Sequence, residues 1–147
     1  MRSRSAIYSI AFLLASFAPA FAHHMAVVVN KDNAVANVSS AQLVKLLRTD
    51  TKKWPDGKNV VLILHKESEG ETETLQRLNK MSTLEWRAFL TAHRDAIMFV
   101  ASDADVIKMV QSEPGAIGLI DVRSIDSSVS VVRVDGKLPM EFGYLPH

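Results

Sequence analysis

At 147 residues, with 48% hydrophobic and 22% charged residues, the chain has the size and composition of one folded domain, which excludes a disordered or fibrous segment. Its 17 basic and 16 acidic residues leave a formal net charge of +1, with no basic patch to recruit nucleic acid. The absence of cysteine excludes disulfides, thiolate metal sites and acylation as a lipoprotein.

Residues 1–22 read as a secretory signal peptide: Arg2 and Arg4 lead, Ile7 to Phe17 form an apolar run, and Ala20-Phe21-Ala22 supplies the small residues of a cleavage site. The run falls short of the about 20 residues that a membrane span needs, so no span is expected after cleavage, and the localisation expected is the periplasm. Without Arg2 and Arg4 the 17 basic residues become 15 against 16 acids, a net charge of −1. Residues 23–147 are then expected to form a single domain. An N-terminal histidine can bind copper through its amine and imidazole, but His23 and His24 have no third ligand at a recognisable spacing, so no metal site is assigned.

Ala26 to Asn30 is a short apolar, β-branched run that reads as the first buried strand. A helix follows, with Ser39 as cap, Gln42 completing a capping box, Val38 stapled onto Leu43, and Leu43, Val44, Leu46 and Leu47 as its buried face. Arg48 to Lys58 is loop, with Trp54 covering the edge of the core before a Pro-Asp-Gly turn. Val60 to Leu64 is an unbroken apolar run, as in a strand buried on both faces of a parallel sheet. A polar loop from Lys66 to Gly70 leads into a helix carrying Leu75, Leu78 and Met81 on one face.

Ser82 to Glu85 is a second capping box, opening a helix whose face carries Trp86, Phe89, Leu90 and His93, the last read as a packed histidine. Ile97 to Val100 is a short strand, and Ser102 caps a helix burying Val106, Met109 and Val110. Ala116 to Ile120 is the third core strand, in which Gly118 signals close packing against the backbone. Val129 to Val134 reads as an edge strand, and Lys137 to His147 as a polar tail interrupted by proline.

The strand–loop–helix unit from Val60 to Leu78 is where function is expected, because ligands in open α/β sheets collect beyond the carboxyl ends of strands, near helix N-termini. The loop and first turn carry four carboxylates, Glu67, Glu69, Glu71 and Glu73, in a place that normally favours an anion. His65 with Glu67, Glu69 or Glu71 also has the elements of an acid/base pair, and Ser68 those of a nucleophile. No nucleophile elbow, phosphate loop or metal motif accompanies them, so an enzyme is not expected.

The segments AVVVNKDNAVANVSSAQLVKLL, KKWPDGKNV and EPGAIGLI resemble the phosphate-binding proteins of bacterial ABC transporters, especially their short single-lobe relatives, over roughly residues 25–121. The resemblance implies a type II periplasmic binding protein-like fold: one three-layer α/β lobe, its mostly parallel sheet flanked by helices, without the second lobe that would close on a ligand. The family's anion loop has an arginine, then Ser-Gly-Thr and often another arginine. On this chain those positions fall on His65, Glu69, Gly70, Glu71 and Thr72, so only the glycine is kept.

The ligand-binding set expected is therefore His65, Ser68, Glu69, Gly70, Glu71 and Thr72, with Asn30 at the end of the first strand. The resemblance implies an anion as ligand, whereas the loop's charge favours a cation or an amine. A second wall is expected from self-association or from a partner protein. The reading preferred is an exported solute-binding-like protein, and the alternative is an interaction module that presents its acidic loop to a partner.

Overall fold

The computed structural model describes residues 24–146. The expected signal peptide and His23 lie outside the described residues. The chain builds β1 (Met25–Val29), β2 (Asn37–Val38), α1 (Ser40–Leu47), β3 (Val61–His65), α2 (Glu69–Asn79), α3 (Thr83–Ala92), β4 (Ile97–Val100), α4 (Asp103–Ser112), β5 (Ala116–Asp121), β6 (Ser130–Val131) and β7 (Arg133–Val134). Local chemistry sets the helix starts. Ser39 and Ser82 form the expected capping boxes with Gln42 and Glu85, and Ser68 and Ser102 cap α2 and α4 through their hydroxyls.

The main sheet has the order β4-β3-β5-β1-β6. β3 pairs in parallel with β4 and β5, while β1 runs antiparallel to both β5 and β6, so four of the five strands point one way and β1 points the other. An uninterrupted apolar run such as Ala26 to Val29 reports burial on both faces, not direction. The direction of β1 is visible only in its register, Met25 opposite Asp121 and Val29 opposite Ile117.

Side chains alternate between the two faces of the sheet and create two apolar layers. One gathers Val27, Val29, Leu62, Leu64 and Leu119 with Leu43, Leu47, Leu75 and Trp86 from α1, α2 and α3. The other joins Val28, Ile63 and Ile120 to Val106 and Val110 of α4. This is the expected three-layer lobe. Gly118 fills the role read for it, since a Cβ there would stand 2.7 Å from Val106 Cγ1 and 3.4 Å from the Ile63 carbonyl. Trp54 is buried, its Nε1–H donating to the Gly115 carbonyl at 2.8 Å.

Two expectations change. The segment read as one strand from Val129 to Val134 divides: β6 borders β1, and β7 leaves to pair in parallel with the unanticipated β2. The tail is not merely polar, because Tyr144 and Leu145 return to the core. The Tyr144 hydroxyl accepts the Val27 N–H at 3.1 Å and donates to the Val132 carbonyl at 2.6 Å. Burial pushes its pKa up to about 12, against the hydrogen bond from Val27. Among the described residues, no helix is long and apolar enough to cross a membrane.

Candidate functional site

β3 ends at His65, three residues lead to α2, and α4 starts just beyond the end of neighbouring β4, so two helix N-termini open at the carboxyl edge of the parallel strands. The Ser68 hydroxyl accepts the Glu71 N–H at 3.2 Å, and the Ser102 hydroxyl accepts the Asp105 N–H at 3.1 Å. Between these ends lies a cavity of about 530 Å³. His65, Ser68, Glu69 and Gly70 line it, joined by Met25, Asp103, Asp121, Arg123 and Ser124.

Asp103, the first residue of α4, organises the cavity wall. Its Oδ1 lies 3.1 Å from His65 Nδ1, and its Oδ2 accepts the Asp121 N–H at 3.0 Å and the Ser124 hydroxyl at 2.9 Å. The His65 and Asp103 side chains remain 18% and 20% exposed, so the pair is open to the cavity. With the Asp103 carboxylate as acceptor, the His65 ring donates from Nδ1 in this contact. Beside it, the Arg123 guanidinium makes two hydrogen bonds to Asp121, at 2.9 and 2.8 Å, and the Arg123 backbone N–H a third at 2.9 Å.

Glu71 lies beneath this surface, 1% exposed. Its Oε2 accepts the His65 backbone N–H at 2.7 Å, while Oε1 is buried without a hydrogen-bond partner. Burial pushes this carboxyl well above its ordinary range; the bond from His65 opposes the shift, and the charge of Asp103 reinforces it. Glu71 is therefore part of the floor rather than of the lining.

The other expected residues fall elsewhere. Thr72 is in the first turn of α2, its N–H bonded to the Ser68 carbonyl, and does not line the cavity. Glu67 and Glu73 are exposed. Asn30 is not brought to this site. Because β1 is antiparallel, its carboxyl end emerges at the opposite edge, where the Asn30 amide donates to the Val110 and Gln111 carbonyls and its Oδ1 accepts the Asp32 N–H. There it secures the last turn of α4.

Asp103, Asp121, Arg123 and Ser124 were not expected at the site. Asp103 reads in the sequence only as part of a helix start, and its meeting with His65 is created by the adjacency of β3 and β4. A second cavity, of about 570 Å³, lies at the amino ends of β3 and β4. It contains His93, which is a packed residue as expected: Nδ1 is 2.9 Å from the Phe89 carbonyl, and the ring stacks on Phe89. Among the described residues, no three histidine, aspartate or glutamate side chains are grouped to hold a metal ion.

A family model described as a PBP superfamily domain matches residues 16–138. Among curated proteins, none matches the sequence. Among solved structures, an ABC-type phosphate transport receptor from Vibrio cholerae aligns at 20% identity and a TM-score of 0.66, over 80% of this chain and 48% of its own. A putative phosphate ABC transporter substrate-binding protein from Clostridium perfringens, solved with bound phosphate, aligns at 21% identity and a TM-score of 0.65, over 79% of this chain and 46% of its own. A phosphate-binding protein from Stenotrophomonas maltophilia gives 14% identity and a TM-score of 0.64, over 80% and 40%. These likenesses establish the fold, and the chain spans about half the length of the first two structures.

Proposed function

This chain belongs to the family of PBP superfamily domains, and from that membership we propose that it is an exported, non-enzymatic binding lobe whose carboxyl-edge cavity does not take phosphate. The observation that carries the proposal is Asp103. Three groups that could serve an oxyanion at this edge, the Asp121 N–H, the Ser124 hydroxyl and the His65 ring, are directed at its carboxylate, and the Arg123 guanidinium that also lines the cavity is bonded to Asp121.

The loop supports the same reading. Where the resembled anion loop has arginine, serine and threonine, this chain has His65, Glu69 and Glu71, so charge-assisted donors worth roughly 1.5–3 kcal/mol each are replaced by acceptors or an imidazole. A phosphate dianion at ~5 Å from exposed carboxylates such as Glu69 meets repulsion on the order of 1 kcal/mol per charge pair even in water-like screening. The Glu69 carboxylate, exposed and lining the cavity, suits a protonated amine or a basic protein surface. Calorimetry near neutral pH is expected to give no heat of binding with millimolar phosphate, and micromolar affinity in the unmodified protein would refute the reading.

A second reading, an interaction module, is favoured by one observation: Glu67, Glu69 and Glu73 are exposed on a lobe spanning about half the length of the matched structures. In this reading a second copy or a basic partner covers the carboxyl edge. Light scattering and crosslinking test it, and a strict monomer at high concentration with no crosslinked partner counts against it. Export is tested by intact-mass analysis of periplasmic protein, expected to begin at His23. A retained leader counts against export.

A further inference from the structure

We propose that Asp103 is a tethered anion: its carboxylate occupies a cradle that a free carboxylate would otherwise enter, so this one side chain takes up the wall's donors from within. The proposal deepens the reading that phosphate is not bound here, and it rests on that reading.

Three features distinguish Asp103 from an ordinary helix-start aspartate. Its two oxygens collect donors from three separate segments: the His65 ring at the end of β3, the Asp121 N–H at the end of β5, and the Ser124 hydroxyl in the following 3-10 turn. All three contacts are 2.9–3.1 Å, the geometry with which a protein grips a bound carboxylate. Capping is not its task, since the Ser102 hydroxyl already accepts the α4 amide at Asp105. The side chain also faces the cavity, not the core, so its removal exposes the donors to solvent rather than to an apolar void.

The ligand class follows from the side chain removed. Truncating Asp103 frees the space of one carboxylate in a wall that keeps the Glu69 carboxylate and the Asp121–Arg123 ion pair. A small monovalent carboxylate such as formate or acetate fits that space and charge, whereas phosphate is larger and carries more charge against the same neighbours.

The test compares the full mature chain with Asp103→Ala, using formate, acetate and phosphate against chloride at matched ionic strength, by calorimetry and thermal shift. The variant is expected to bind acetate or formate at least about tenfold more tightly than the unmodified protein, and its melting temperature to rise with acetate but not with chloride. A folded variant that responds to acetate no more than the unmodified protein does overturns the tether.

Should Asp103→Ala fold only with acetate present, the proposal is supported. Should it fold in neither salt, nitrogen NMR of His65 in the unmodified protein at pH 8 decides: a proton on Nδ1 supports the tether, and an Nε2–H tautomer overturns it. The two readings fail separately. Phosphate binding by the unmodified protein overturns the functional reading, whereas absent acetate binding by folded Asp103→Ala overturns the tether and leaves that reading standing.

Discussion

Glu71 Oε2 accepts the backbone N–H of His65 at 2.7 Å, so a side chain in the first turn of α2 closes the loop through which β3 enters that helix. The contact places a carboxyl in a dry position with one oxygen unpartnered. Its folded pKa is raised, so the stability associated with the protonated form is fully present below the ordinary carboxyl range and is lost as pH rises through the raised value. Glu71→Gln keeps an acceptor for His65 and removes the titration. Denaturant unfolding from pH 5 to 8 is expected to show stability falling with pH in the unmodified protein and a flatter profile in Glu71→Gln. Superimposable profiles would contradict the assignment.

The Tyr144 hydroxyl ties Val27 of β1 to Val132, the residue between β6 and β7. Tyr144→Phe leaves a buried N–H and a buried carbonyl unpaired, and a loss of about 1–3 kcal/mol is expected in equilibrium unfolding. Since burial raises the phenol's pKa to about 12, the stability linked to its protonated form is complete below the ordinary value near 10 and is lost as pH climbs through about 12. Alkaline unfolding monitored at the tyrosinate absorbance should report this, and a variant as stable as the unmodified protein at neutral pH would remove the hydroxyl's structural role.

Gly118→Ala places a methyl 2.7 Å from Val106 Cγ1, with the Ile63 carbonyl 3.4 Å away. Overpacking of this kind costs about 1–3 kcal/mol. Val106→Ala in the same chain should recover part of the loss, which a double-mutant cycle measures as coupling between the two positions. Strict additivity would mean that the two sites do not meet.

Asn30→Ala removes the amide that serves the Val110 and Gln111 carbonyls and the oxygen that receives the Asp32 N–H. A stability loss of about 1–3 kcal/mol is expected, with the His65 ring resonances unmoved because the two residues lie at opposite edges of the sheet. Perturbation of His65 in a folded Asn30→Ala would contradict this placement.

Much of the lobe is legible in the sequence because its signals are local. Capping boxes at Ser39 and Ser82, the close-packing glycine at 118 and the continuous apolar runs each depend on a few neighbouring residues. His65, Ser68, Glu69 and Gly70 could be placed together at the cavity because they share one strand–loop–helix unit. Asp103, 38 residues beyond His65, could not, because nothing in the spacing reveals that β3 and β4 are neighbours. Asn30 was misplaced for the same reason: strand direction is a property of pairing, and a run of valines looks the same read in either sense. Tyr144 was hidden by its polar, proline-flanked surroundings, which carry the signature of a surface tail.

The reversed first strand has a consequence for the order in which this protein can form. Within the main sheet β1 pairs only with β5 and β6, and its Val27 N–H is satisfied by a hydroxyl 117 residues away. A nascent chain that ends before residue 116 therefore contains no native partner strand for its own beginning. Such long-range closure slows folding and delays it until residues 116–121 have been made. The wholly apolar β1 thus has no partner in the main sheet until β5 has emerged.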